Sequence, residues 1–281
     1  MKHATISNSH DSARGHDPQR RGRIPVVRTV RVRWARVGPD RRLFLRGELF
    51  RIFSAYYEGF GIEAFESFFL DRQDVVLGLF YGADRQLAGF CSMRRSVVGA
   101  GGHRYGALSA GVYIDTRYRG GRVAAAFGLR EAMRIKLRHP SVRLGYLGLA
   151  HTPAPYRLFC RTMPRVYPSR PDHSGEPPGD IAEVMSSMLD ERGWPRLRHC
   201  PWAIATPMYH PRPDWLERKL GTPDDLDVQF FCERVPGWSR HGHALACWVP
   251  LELRDIAGAS LRWRPGTARG RRSESEQRGP Q

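Results

Sequence analysis

The stretch "VYIDTRYRGGRVAAAFGLREAMRIKL", residues 112–137, changes its period halfway along. Its first residues alternate apolar and polar, as a strand does. Its second half places Ala126, Leu129, Met133 and Leu137 at spacings of three and four, with Arg130, Arg134 and Arg138 beside them. That is a helix of about 121–138 with an apolar stripe and a basic flank. Between the two lies "TRYRGGR". A helix start leaves backbone N–H groups without partners and carries partial positive charge. Glycines let an anion approach those N–H groups, and guanidinium groups add charge-assisted hydrogen bonds. Gly120 and Gly121, with Arg117, Arg119 and Arg122, therefore form either a cradle for a pyrophosphate or a solvated turn that opens a helix. Neither the P-loop GxxxxGK[ST] nor the dinucleotide GxGxxG pattern is present.

Outward from this junction the elements fall into order. Upstream, "DVVLGLFYG" (74–82), "LAGFCSMRRSVV" (87–98) and "RYGALSAGVYID" (104–115) read as strands joined by short turns. Residues 43–70 have helical spacing interrupted by Gly59 and Gly61, which predicts two helices, with Phe44, Phe50, Phe53 and Tyr57 as stripe members. Downstream, "VRLGYLGLA" (142–150) reads as a buried strand and 151–168 as a short helix with proline near each end. A strand–helix–strand crossover makes the strands at 104–115 and 142–150 parallel. The fold class is α/β, a mixed α+β sheet with helices on its faces. Residues 180–193 look helical. The apolar pieces between 200 and 251, "DVQFFCERVPGW" among them, read as further strands and loops.

The order helix, helix, strand hairpin, strand, "YRGGRVA", helix resembles the GNAT acyl-CoA N-acyltransferases over residues 43–168. The wider patterns "YYEGFGIEAFESFFLDRQDVVLGLFYGADRQLAGF" and "FFCERVPGWSRHGHALACWVPL" resemble a set of uncharacterised bacterial GNAT-like proteins over 43–258. The resemblance implies a GNAT-like fold with a C-terminal α+β extension, and transfer of an acyl group, expected to be acetyl, from a coenzyme A thioester to an amine. Acetyl-CoA or another acyl-CoA is the implied co-substrate. The family motif Arg/Gln-x-x-Gly-x-Gly/Ala, which grips the coenzyme A pyrophosphate through main-chain N–H groups, would run here from Arg119 through Gly120, Gly121, Arg122 and Val123 to Ala124. Arg119 and Ala124 match it, while Arg122 stands where its central glycine is expected, next to Gly121. The resemblance also implies that main-chain N–H groups near Val112 to Ile114 hold the thioester carbonyl oxygen, and that Tyr156, in "HTPAPYRLF", protonates the departing thiolate.

For a general base the candidates are Glu58 in "YYEGF", Asp115, His103 and His151. Each has a plainer structural role open to it: a solvated helix end for Glu58, a turn cap or Arg117 partner for Asp115, a hydrogen-bonded structural imidazole for His151. Tyr156 is equally open to being a core aromatic. The "HGH" at 241–243, with His210 and Cys232, has no zinc spacing, and no GxSxG elbow occurs, so no metal and no hydrolase are expected.

Five cysteines without a CxxC pair support neither a disulfide framework nor a zinc site. No apolar run reaches the ~18 residues of a membrane span, and the N-terminus lacks the core of a signal peptide, so a cytoplasmic location is expected. The net charge is +17, and 42 of the 45 basic residues are Arg. Residues 1–42 carry +8 and 262–281 carry +4, leaving +5 for the 219 between. The sequence thus divides into a basic, largely disordered tail (1–42), in which the alternating "PVVRTVRVRWARV" (25–37) could form an edge strand, a GNAT-like domain (43–168), an extension packed on it (169–260) and a second disordered tail (261–281). Expected partners are a small-molecule or aminoacyl amine and weak nucleic-acid contact through the tails. A GNAT-fold sensor without catalysis is the alternative to an enzyme.

Overall fold

The computed structural model describes residues 23–71, 74–119, 121–206, 210–212 and 224–262. Ile24–Arg33 is β1; a 3-10 turn, Trp34–Arg36, leads to α1, Pro39–Ser54, with proline at the helix start where its missing N–H costs nothing. Tyr57–Glu58 (β2) precedes α2, Ile62–Phe69. Val76–Gly82 (β3), Leu87–Ala100 (β4) and His103–Ile114 (β5) form an antiparallel meander. Tyr118–Arg119 (β6) leads into α3, Gly121–Arg138, and Arg143–Ala150 (β7) follows. Pro153–Thr162 is α4, Gly179–Glu191 is α5, Arg196–Leu197 is β8, Cys200–Ile204 is β9 and His210–Pro211 is β10. Leu226–Arg234 is α6, Trp238–His241 is α7, Ala244–Pro250 is β11 and Leu253–Arg262 is α8.

The main sheet runs β6-β1-β3-β4-β5-β7-β11-β9-β8, and β10 pairs with β2 apart from it. The β5–β7 pair is parallel, as the crossover requires. Period-2 alternation feeds both faces. Leu77, Leu79 and Phe90 join Leu49, Phe53 and Phe65 of α1 and α2 in one core. Phe80 and Cys91 point the other way, joining Phe127 of α3 and the C-terminal elements around Trp248 in the second.

Five sequence expectations are corrected here. Residues 24–42 are not tail: β1 pairs along β3 because Val30 and Val32 have an apolar face to cover. Residues 1–22 and 263–281 lie outside the described residues. The extension is more than a layer on the domain: β11 lies beside β7 and continues its sheet, with six buried residues before Pro250. "DVQFFCER" is a helix, because Asp225 caps it by accepting from the N–H groups of Asp227 and Val228. On α3 the buried face is Phe127, Glu131, Ala132 and Lys136, while Leu137 is 75% exposed. Two charged residues point inward because each has partners there: Glu131 accepts from Arg31 and Arg134, and Lys136 donates to Glu252 and the carbonyls of Pro140 and Val142. Phe44 is likewise 67% exposed, outside the stripe expected of it.

Candidate functional site

β5 and β7 pair only from Tyr105↔Arg143 to Leu108↔Tyr146. Beyond that point β5 continues to Ile114 beside β4, and β7 continues to Ala150 beside β11. The two strands part into a gap that opens at their C-terminal ends, where open α/β sheets bind ligands. The register decides what faces it. Asp115 N–H donates to the Ala88 carbonyl, so odd residues of β5 turn their backbone groups to β4. Antiparallel pairing alternates, so Ala110, Val112 and Ile114 turn their N–H and C=O groups toward the gap. Two tyrosines mark that side: the Tyr146 hydroxyl donates to the Ala110 carbonyl (3.1 Å), and the Tyr56 hydroxyl donates to the Ile114 carbonyl. Val112 lies between them with its side chain 44% exposed.

Aromatic rings cross the mouth of the gap. His151, just past β7, meets the Tyr57 ring edge-on at 6.0 Å, and Tyr57 meets Tyr113 of β5 edge-on at 5.9 Å. Burial lowers the imidazole pKa of His151 to about 4, against the smaller upward effect of its bond to the Gly242 backbone. His151 is therefore neutral at physiological pH.

At the end of β5 the chain folds back on itself. Arg117 donates its N–H and its guanidinium to the Asp115 carboxylate and lies over the Tyr118 ring, 5.5 Å from its centre. Burial pushes the Asp115 pKa up, but the Arg117 bonds and the nearby Arg51 outweigh it, and the carboxyl sits below its usual value. Arg117 is thus balanced by an acid, the plainer of the two roles open to Asp115. Tyr118 donates to Asp84, and β6 pairs in parallel with Ile24 and Pro25. α3 starts directly after, with Val123 and Ala124 half-buried against the core. Gly120, and the side chains of Arg119 and Arg122, lie outside the described residues.

The other sequence candidates sit elsewhere. Tyr156 is fully enclosed, stacked on Phe230 at 5.8 Å, and its hydroxyl donates to the Pro168 carbonyl. Burial raises its pKa far above a phenol's, and its hydroxyl is enclosed in the core. Glu58 is exposed and pairs through its backbone with His210, while its neighbours Tyr56 and Tyr57 turn inward. His103 is exposed at the opposite end of β5. Among the described residues no group of three His, Cys, Asp or Glu can hold a metal, and no helix is long and apolar enough to cross a membrane. The residues that sequence reasoning passed over are Tyr56, Tyr57 and Tyr146. "YYEGF" was singled out for Glu58, while the structure turns Tyr56 and Tyr57 inward and leaves Glu58 exposed.

Two helices, an antiparallel meander and a parted parallel pair with α3 as the crossover make the order of a GNAT acyltransferase. The mixed α/β sheet and its element order are those the GNAT resemblance implied. No protein-family model matches the chain, and no curated protein matches it. Solved structures do, distantly. One is a conserved protein of unknown function from Enterococcus faecalis V583, given as a probable N-acyltransferase: 18% identity, TM-score 0.34, over 49% of this chain and 33% of that one. The chain thus spans about a third of that protein's length. Another is TofI in a ternary complex with an inhibitor and MTA, at 11% identity and TM-score 0.42 over 83% of this chain and 97% of that one. A third is a probable acetyltransferase, at 19% identity and TM-score 0.30 over 42% and 76%. Likeness at this level says nothing of ligand or activity.

Proposed function

We propose that the chain is an acyl-CoA-dependent N-acyltransferase acting in the gap between β5 and β7. The observation that carries this reading is the β5 register, which turns the N–H groups of Val112 and Ile114 into the gap between β5 and β7. Main-chain amides fixed in a sheet are pre-aimed donors for a carbonyl oxygen that gains charge during acyl transfer. The α3 amides serve the diphosphate of the thioester. The fit is better for the thioester end than for the phosphate end, since Arg117 is already balanced by Asp115. Neutral His151 takes the proton of the attacking amine, directly or through water. The Tyr146 phenol, kept protonated by burial and bonded to the Ala110 carbonyl at the gap, replaces Tyr156 as donor to the leaving thiolate.

Thermal shift with acetyl-CoA and longer acyl-CoAs tests the binding step, because a ligand at about 100 times its Kd stabilises by ~2.7 kcal/mol. Release of free coenzyme A with an amine panel tests the chemistry. The expected result is a raised Tm with all productive thioesters, and release that falls at least tenfold in Tyr146→Phe with the Tm shift retained. If no acyl-CoA moves the Tm at millimolar concentration, the reading fails. The enclosed Tyr156 favours a second reading, a GNAT-fold sensor; a Tm shift with no release from any amine selects it.

A further inference from the structure

Away from the gap, on the opposite edge of the sheet, β1 and the 3-10 turn that follows it border a groove of about 540 Å³. Its walls include Arg31, Arg33, Arg36 and Arg41, and Val37 and Gly38 line it at the start of α1. No acid lines it. Arg31 is balanced by Glu131 on the α3 side. Arg33, Arg36 and Arg41 are exposed, and among the described residues no carboxylate pairs with them. Residues 23–46 carry eight Arg against the single acid Asp40. Other arginines, such as Arg46, Arg143, Arg157, Arg161 and Arg196, do have acidic partners. What sets Arg33, Arg36 and Arg41 apart is that all three border one groove that no acid lines.

We infer that this groove binds the sugar–phosphate backbone of a single-stranded polynucleotide. Guanidinium groups bind phosphate oxygens in pairs of parallel hydrogen bonds, and successive phosphates suit a row of like charges. One turn along α1 from Arg41, Phe44 is 67% exposed on the same helix side, a flat ring on which a base can stack. β1 is paired on its outer side only at Ile24 and Pro25 among the described residues, so the groove is open lengthwise to a strand laid along it. A polyglutamate-like acidic polypeptide shares the charge but brings no ring to stack on Phe44, which favours the polynucleotide. This site is on the folded body and is independent of the acyl-transfer reading.

The test is fluorescence anisotropy of the full chain with labelled single-stranded RNA and DNA of about twelve nucleotides, over a range of salt. Each phosphate contact contributes about 0.7 to the slope of log K against log salt for a single strand. Replacing Arg33, Arg36 and Arg41 together by Gln is expected to lower that slope by about 2. Phe44→Ala is expected to weaken binding about fivefold or more with the slope unchanged. The reference is Arg130→Gln with Arg138→Gln and Arg254→Gln, three exposed arginines on other helices, which should leave the slope nearly intact. All substituted side chains are exposed, and an unchanged Tm checks that folding is intact. The inference is overturned if the groove triple lowers the slope no more than the reference triple. It is also overturned if a polyglutamate peptide binds as tightly and loses its affinity in the same variant, since the occupant is then an acidic polypeptide. RNA bound in preference to DNA, or the reverse, assigns the sugar.

Discussion

Tyr56, Tyr57 and Glu58 are adjacent, yet two face the interior and one faces solvent. Glu58 pairs with β10, which fixes the strand direction and leaves the alternate residue Tyr57 inside. His151 is enclosed, with 6% of its surface exposed. Its pKa falls from 6.5 to about 4 on folding, chiefly through burial. The unfolded chain therefore binds the extra proton first. The stability that neutral His151 contributes is complete above about pH 6.5 and is lost as pH falls toward 4, by about 3 kcal/mol in all. Urea titrations between pH 7 and pH 4 should show that loss, and His151→Asn should flatten it across the same window. A variant whose stability keeps the wild-type slope would place the effect on other groups.

One helix, α6, is held in place by a charged cap as well as by its apolar face. Asp225 starts α6 and also accepts from Arg157 (2.6 Å) and Arg161 (2.8 Å) of α4, so one carboxylate caps one helix and docks another onto it. Asp225→Ala is expected to cost about 2–3 kcal/mol, part cap and part charge-assisted bonds, in denaturant unfolding. Asp225→Asn keeps the cap acceptor and should cost about half as much. "DVQFFCER" shows why this was hard to see in advance. Its apolar run is too short to separate helix from buried strand, and the deciding signal was a single Asp before it. The same holds for α3, where the apolar spacing is real but Glu131 and Lys136 have partners inside, so the helix turns those residues inward.

Across the molecule, the joint between β7 and β11 unites the N-terminal meander with the C-terminal half. Trp248 of β11 lies over Gly145 of β7 so closely that a Cβ there would overlap the indole. Gly145→Ala should destabilise by at least ~1–3 kcal/mol, because a packed core cannot absorb the added carbon without moving the ring. Gly99→Ala in β4, where a Cβ meets nothing within 4 Å, is the matched control and should be nearly neutral. Equal melting temperatures for the two variants would show that the joint yields more readily than its packing implies.

The sequence by itself determined the order of elements from residue 43 to 162, the parallel crossover, and the place where strand gives way to the Arg/Gly turn and α3. These are local matters, set by period, by glycine and by the handedness of the chain. Only the tertiary structure decided where β5 leaves β7, which backbone groups then face the gap, and that Tyr156 belongs to the core while Tyr146 and His151 belong near the gap. Those outcomes depend on register and on contacts between residues far apart in the chain, such as Tyr146 with Ala110, Tyr156 with Phe230 and Trp248 with Gly145. A sequence pattern fixes which side of its own element a residue lies on, and packing fixes what that side meets.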